Sequence, residues 1–350
     1  PTERLLISLK AHGIYGFLLT WLENWLRNRR QRVVLNGLFS TWKAVLSGVP
    51  QGSILGPLLF LIFINCFDNV ALLITILRKF ADDAKLGQII RDETDRQRLQ
   101  ECLNNLSEWA VTWGMKFNVK KCSVLHLGYR NPDYQYSLHP EVLAPVEVER
   151  DVGIMISSNM KPSTHCRDIS RKATFVLNQI LQCFHYRDRN VFLSLYKQRV
   201  RPILEFGSPV WNPWLKADKD CIEKVQIKAV NAISGLKGKS YEEKLKEINL
   251  MSLDMRRLKA DLLQTYKILN RIDDVKPETW FQTVGENPVR QTRLTDYPLN
   301  LIKTRSRLDI RGNFFSQRVI VPWNNLPTTV KSKPTISAFK KALDKHLLNN

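Results

Sequence analysis

The feature that most restricts this chain is a pair of adjacent aspartates, Asp82 and Asp83, set between two short apolar runs, Leu72–Leu77 and Leu86–Ile90. Apolar runs of that length, bounded by turn-forming residues, read as strands. The simplest geometry is a β-hairpin with an acidic tip. Two carboxylates held so close repel one another, and a cation compensates them. Mg²⁺ suits such a tip, because it is hard, prefers carboxylate oxygen and uses one or two carboxylates together with substrate phosphates. Aspartate is also a common turn residue, so the dipeptide alone reads first as a plain polar turn. What gives it weight lies upstream.

There the chain runs Ser47-Gly48-Val49-Pro50-Gln51-Gly52-Ser53-Ile54-Leu55-Gly56-Pro57. Its glycines and proline force a bent backbone, and glycine lets that backbone approach a ligand closely. Ser53 is placed to cap the helix that follows, whose free N–H groups then face an anion. An ordinary loop-to-helix junction would read the same way. The helix, Ile54–Ile64, is apolar and too short to span a bilayer, so a buried helix is expected. Before it comes Arg27-Asn28-Arg29-Arg30-Gln31-Arg32, guanidiniums suited to bidentate phosphate contacts or, on spacing alone, a solvated charge run. Arg32–Leu35 and Thr41–Leu46 read as strands joined across Asn36-Gly37.

The surrounding chain divides in two. Thr2–Leu26 is expected to be helical, and Asp92–Gly114 is an amphipathic helix with Leu99, Cys102, Leu103, Leu106, Trp109, Ala110 and Trp113 turned to a core. Short strands are expected at Ser123–Leu127, Tyr134–Leu138, Val146–Glu149 and Val152–Ile156. From Pro162 the pattern is helical, with Ile169, Ala173, Val176, Leu177, Ile180, Leu181 and Phe184 on one stripe. Helices follow at Asn190–Val200, Asp218–Ile233, Tyr241–Ile248 and Leu253–Leu269, and Asn313–Trp323 and Thr335–Leu348 close the chain. Asn287–Leu308 reads as a basic extended arm. Lys and Arg number 53 against 33 Asp and Glu, a net charge of +20, which favours a polyanionic partner, nucleic acid ahead of an anionic membrane. The six cysteines are scattered without a C-x-x-C pair. That fits a reducing compartment better than a zinc site or a disulfide framework. No charged-then-apolar leader is read.

Taken together, Ser-Gly-Val-Pro-Gln-Gly-Ser-Ile-Leu-Gly-Pro-Leu-Leu-Phe and the later Phe-Ala-Asp-Asp resemble the reverse transcriptases of non-LTR, LINE-type retrotransposons. Gly114–Asn118 through Lys121-Cys122 is similar to that family's motif D, and Asp151-Val152-Gly153-Ile154 to its primer grip. Val200–Phe206 and Trp323–Pro327 resemble segments that close such reading frames in the Jockey and CR1-like groups. The resemblance implies an α+β fold. Residues 1–160 would be a partial palm, an antiparallel sheet with helices, and residues 161–350 a helical thumb and C-terminal region. It implies RNA-directed DNA polymerase chemistry at a two-ion Mg²⁺ site, with deoxynucleoside triphosphates, an RNA template and a DNA primer, within a retrotransposon ribonucleoprotein in nucleus or cytoplasm.

By the same resemblance, Asp82 and Asp83 are metal-binding, and Pro50, Gln51, Gly52 and Ser53 position template and nucleotide. Arg27, Arg29, Arg30 and Arg32 contact nucleic acid, Lys121 or Lys120 lies near the leaving pyrophosphate, and Val152 and Gly153 hold the primer. The family carries a first metal-binding aspartate on a strand just ahead of a segment like Pro1-Thr2-Glu3-Arg4-Leu5-Leu6. That strand is expected to be absent here, and the chain to be a truncated copy with little or no polymerase activity. The alternative readings are a non-catalytic protein that binds RNA or an RNA–DNA hybrid, and a degenerate transposon-derived reading frame.

Overall fold

The opening apolar stripes fold as two helices, α1 (Thr2–Ala11) and α2 (Gly16–Leu26), broken where the sequence reading runs one helix through. The structure, a computed structural model, describes residues 1–70, 74–128, 130–184, 188–286 and 298–349. Leu72 and Leu73 of the expected first tip strand and residues 287–297 of the expected basic arm lie outside these. The chain divides into two compact units, Pro1–Val146 and Glu147–Asn350.

In the first unit, α2 leads into a double hairpin of β1 (Arg30–Gln31), β2 (Val34–Leu35), β3 (Leu38–Phe39) and β4 (Lys43–Ala44). The inner pair turns at Asn36-Gly37, both at positive φ, the two-residue turn that this dipeptide favours. The turn joins β2 to β3 and not to the expected strand Thr41–Leu46, whose β4 pairs with β1 instead, and the strands are shorter than the runs expected from sequence. Helix α3 (Leu55–Ile64) follows, and buries only one face: Leu59 and Phe63 are covered, while Leu58 and Leu61 remain 53% and 54% exposed. The expectation of a buried helix is therefore corrected. Leu59 and Phe63 pack with Leu5, Leu9, Leu22 and Leu26, and no described element of the unit covers the opposite face.

Strands β5 (Ile76–Phe80) and β6 (Asp83–Gly87) form the acidic hairpin, with β5 starting later and β6 earlier than the apolar runs. Helix α4 (Glu93–Trp113) is capped by the Asp92 carboxylate, which accepts from the Asp95 N–H, and ends at Gly114. Its apolar face meets Phe67 through Cys102, Leu106, Trp109 and Ala110, and Trp109 stands edge-on to Phe67 at 5.2 Å. The tryptophans are core, as their spacing predicts. Short strands β7 (Ser123–Leu125), β8 (Ser137–Leu138), β9 (Glu141–Val142) and β10 (Ala144–Val146) complete the unit.

The second unit opens with the hairpin β11 (Val148–Asp151) and β12 (Ile154–Ser157). Ile154 packs in one cluster with Ile169, Leu177, Leu204 and Ile222, so this hairpin belongs to the helical unit. Around it run α5 (Ser163–Cys183), α6 (Arg189–Leu195), α7 (Arg201–Glu205), α8 (Ser208–Trp211), α9 (Lys216–Asn231), α10 (Tyr241–Glu247) and α11 (Leu253–Leu269). A five-residue π-helical segment, Tyr196–Val200, joins α6 to α7. Phe184, expected on the α5 stripe, is exposed instead. Asn313–Trp323 is two short helices, Phe315–Arg318 and Ile320–Asn324, rather than one.

A second cluster holds Leu262, Tyr266, Trp323 and Phe339. There Asn324 accepts from the Leu301 N–H at 2.9 Å and donates to its carbonyl at 2.8 Å. Trp323 Nε1 donates to the Leu299 carbonyl at 3.0 Å. The Trp-Asn-Asn-Leu-Pro segment therefore grips a neighbouring stretch of backbone. The class is α+β, with antiparallel pairs throughout except β7–β10, which is parallel. Among the described residues the strands pair in twos, not as one continuous sheet.

Candidate functional site

The acidic tip is a two-residue turn. Phe80 pairs with Asp83 across the hairpin, leaving Ala81 and Asp82 at the corner. Ala81 sits at φ +53, a left-handed position where glycine is usual and another residue is strained by about 1–2 kcal/mol. Asp82 occupies the corner and Asp83 begins β6, and both are exposed. Neither carboxylate has a hydrogen bond or ion pair with another described residue, so nothing described relieves their repulsion. Lys79 on β5 is engaged elsewhere: its Nζ lies 2.8 Å from Asp68 Oδ1 and donates to the Ile64 carbonyl at 3.3 Å. It fastens the hairpin to the end of α3.

Two exposed carboxylates without partners fit one hard divalent cation that completes its shell with phosphate and water oxygens. They are too few to fix two ions. Among the described residues no three of His, Cys, Asp and Glu come together as a metal-holding group.

The Pro50–Ser53 loop is locked by its own residues. The Pro50 carbonyl accepts from Ser53 Oγ at 2.7 Å, and Ser53 Oγ accepts from the Gly56 N–H at 3.0 Å. Ser53 thus caps α3 as its position predicts. Gly52 takes φ +84 at the bend, and a side chain at Gly56 would come within 2.8 Å of the Pro50 carbonyl. Both glycines are steric requirements of this loop. Gln51 and Gly52 stay exposed on its outer side.

The arginine run separates into distinct jobs. Arg27 pairs with Glu23 on α2. Arg29 is a strut: Nε donates to the Leu26 carbonyl at 3.0 Å and Nη2 to the Gly48 carbonyl, tying the two ends of the double hairpin together. Arg30 is exposed and unpaired among the described residues. Arg32 lies over two rings, 4.1 Å from the Phe39 centroid and 4.7 Å from that of Trp42. The charge run was legible in the sequence, but the strut and the stack were not, because both depend on partners brought together by the turns. Lys120 and Lys121 share one short turn and are both exposed, so they remain equivalent candidates.

In the second unit, Val152 and Gly153 form the turn between β11 and β12, at φ +45 and +87. A side chain at Gly153 would meet the Phe206 ring at 3.3 Å. Beneath the hairpin, His165 Nδ1 accepts from the Met155 N–H at 3.2 Å, and burial pushes the imidazole down to about 4. It is a neutral packing residue. Burial likewise pushes the neighbouring Cys166 thiol up to about 12, far from the range of a reactive thiolate. No described helix is long and apolar enough to cross a membrane.

Residues 1–184 match the family described as reverse transcriptase (RNA-dependent DNA polymerase). Among curated proteins, the chain is 26% identical over 240 residues to the "probable RNA-directed DNA polymerase from transposon BS" of Drosophila melanogaster, covering 63% of this chain and 25% of that protein. It is 26% identical over 223 residues to the fly's "probable RNA-directed DNA polymerase from transposon X-element", covering 61% and 24%. Over 225 residues it is 24% identical to the "RNA-directed DNA polymerase from mobile element jockey", covering 61% and 25%. The chain thus spans about a quarter of the length of these relatives.

Proposed function

The chain belongs to the reverse transcriptase (RNA-dependent DNA polymerase) family, and from that premise we propose that it is part of an RNA-directed DNA polymerase. Its substrates would be an RNA template, a DNA primer and deoxynucleoside triphosphates. Residues 1–160 serve as palm, and residues 161–350 as thumb and C-terminal region. Asp82 and Asp83 hold Mg²⁺ jointly with nucleotide phosphate. The ion, when bound, neutralises phosphate charge. Pro50, Gln51, Gly52 and Ser53 orient template and nucleotide through a loop that cannot relax without breaking the Ser53 bridge. Arg30 and Arg32 contact the nucleic acid, while Arg29 holds the hairpin that carries them and Arg27 stays paired with Glu23 on α2. Lys121 or Lys120 faces the leaving pyrophosphate, and Val152 and Gly153 touch the primer.

The observation that carries this reading is the bare acidic turn, two carboxylates exposed on a strained corner with no protein partner among the described residues. Since two carboxylates fall short of a two-ion site, nucleotide addition draws at least one more acidic ligand from beyond the described residues or from another polypeptide.

Primer extension on a primed RNA template with Mg²⁺ tests this, using the chain alone and the chain joined to the remainder of the transposon BS polymerase. The joined protein is expected to extend the primer and Asp82→Asn/Asp83→Asn to abolish extension. The chain alone is expected to bind the primed template without extending it. Extension that survives the double substitution would overturn the assignment.

A further inference from the structure

The double hairpin between α2 and the Pro50–Ser53 loop has a composition its packing does not explain. Every residue from Gln31 to Ala44 is exposed, yet the stretch includes Phe39 and Trp42, exposed at 59% and 55%. No acidic residue occurs anywhere between Arg27 and Phe67. An apolar surface this open is unusual on a lone soluble unit and marks an interaction site. Its purely cationic setting selects a polyanion.

The geometry narrows the choice further. The outer pair joins Arg30 to Ala44 and Gln31 to Lys43, and the inner pair joins Val34 to Phe39. From Gln31 to Val34 the outgoing strand advances three residues, while from Phe39 to Lys43 the returning strand advances four. One extra residue is therefore accommodated as a bulge, a device that re-aims a side chain. It brings Trp42 alongside Arg32, whose guanidinium then lies against both rings. Arg29 fixes the base of the hairpin at Leu26 and Gly48, so the cluster stands on an anchored stem.

We propose that this Arg32–Phe39–Trp42 cluster is a platform on which bases of single-stranded nucleic acid stack, with Arg30 and Lys43 supplying phosphate contacts. The inference rests on the polymerase reading for the presence of a nucleic-acid partner, and adds the strand form and the mode of contact. Flat guanidinium and ring faces match base faces, and stacking on them is tolerant of sequence. Bases within a duplex are already stacked, so a duplex offers this cluster its backbone alone.

Fluorescence anisotropy of the 350-residue chain without Mg²⁺, using three labelled RNA probes of equal length, tests the platform. The probes are a single strand, an abasic strand and a duplex. The single strand is expected to bind tightest. Phe39→Ala and Trp42→Ala should each weaken it about tenfold, as expected for the loss of one stacked base, and leave abasic binding unchanged. Arg32→Lys keeps the charge but loses the plane, so it should weaken the single strand while preserving the salt dependence. Unfolding cannot mimic this pattern, because abasic binding reports the fold in each variant.

Equal loss on single and abasic strands, or no loss on either, overturns the platform. So does unchanged RNA binding accompanied by a smaller oligomer on sedimentation, which would make the face a contact between copies of this chain. Primer extension by the joined protein is measured on the same variants. Lost base dependence with extension still requiring Asp82 and Asp83 sinks the platform only. Extension independent of those aspartates, with base dependence intact, sinks the polymerase reading only.

Discussion

Of the described hairpins that close on two-residue turns, two force a β-carbon-bearing residue other than asparagine to positive φ, and their surroundings are opposite. At the acidic tip, Ala81 bears the strain and the flanking Phe80 is 65% exposed. At the other, Val152 bears it, but Ile154 beside it is buried at 7% in the main core of the second unit. Beneath that turn, the Met155 N–H is received by the buried His165. Strain in the second hairpin is held down by packing. In the first, nothing described packs against the corner, and a strained element with bare carboxylates is more readily understood as a ligand-facing feature. One backbone device thus serves two ends, distinguished by what lies beneath it.

The comparison breaks if core packing does not separate the two turns. Ile154→Ala is expected to destabilise the second unit by about 3 kcal/mol, whereas Phe80→Ala should cost under about 0.5 kcal/mol. Urea unfolding of both variants measures this, and equal effects would remove the distinction.

Acid should expose the same asymmetry. His165 is neutral when folded, with its imidazole lowered by burial to about 4, against about 6.5 when unfolded. Above 6.5 both states are neutral and stability is complete. Between 6.5 and 4 the unfolded state binds the extra proton, so stability falls as pH falls, by about 2 kcal/mol at pH 5. His165→Gln should flatten that slope in denaturation curves taken between pH 7 and pH 5.

Relief of strain is the next smaller effect. Ala81→Gly should raise thermal stability by about 0.5 kcal/mol, the left-handed penalty less the added freedom of the unfolded chain. A loss would mean that the Ala81 methyl group makes stabilising contacts at the corner. Smallest of all, Asp82→Asn/Asp83→Asn should change stability by less than about 0.5 kcal/mol in chelator, because neither carboxylate has a partner to lose. Added Mg²⁺ should raise the melting temperature of the parent but not of the double variant.

Much of this is legible in the sequence. Asp92 and Gly114 bracket helix α4, periodicity runs α11 from Leu253 to Leu269, and the acidic hairpin follows from its flanking apolar runs. Those features are local, set by periodicity, caps and turn chemistry. What escaped was non-local. The Arg29 strut to Gly48 and the Arg32 stack depend on a register fixed by two turns and a bulge. The half-bare α3 has an apolar sequence all along, and hydrophobicity alone cannot say how many neighbours arrive. The break within Asn313–Trp323 reflects Trp323 and Asn324 turning to hold Leu299 and Leu301, a demand that helical spacing does not record.

The π-helical segment Tyr196–Val200 carries a consequence for how this sequence tolerates insertion and deletion. Such a segment holds one residue more than the α-helix it interrupts, and each residue of an α-helix turns the chain by about 100°. Tyr196, Val200 and Leu204 all lie in the core, at 1%, 0% and 0% exposure, with the extra residue taken up between the first two. Loss of a single codon around Gln198 would leave a regular α-helix in which Tyr196, Val200 and Leu204 stand three and four residues apart, still on one face, with Glu205 kept towards Arg256, which it now grips at 2.8 Å. A one-codon deletion would therefore be absorbed at this segment, whereas the same loss within the regular helix α9 would turn everything beyond it by about 100°.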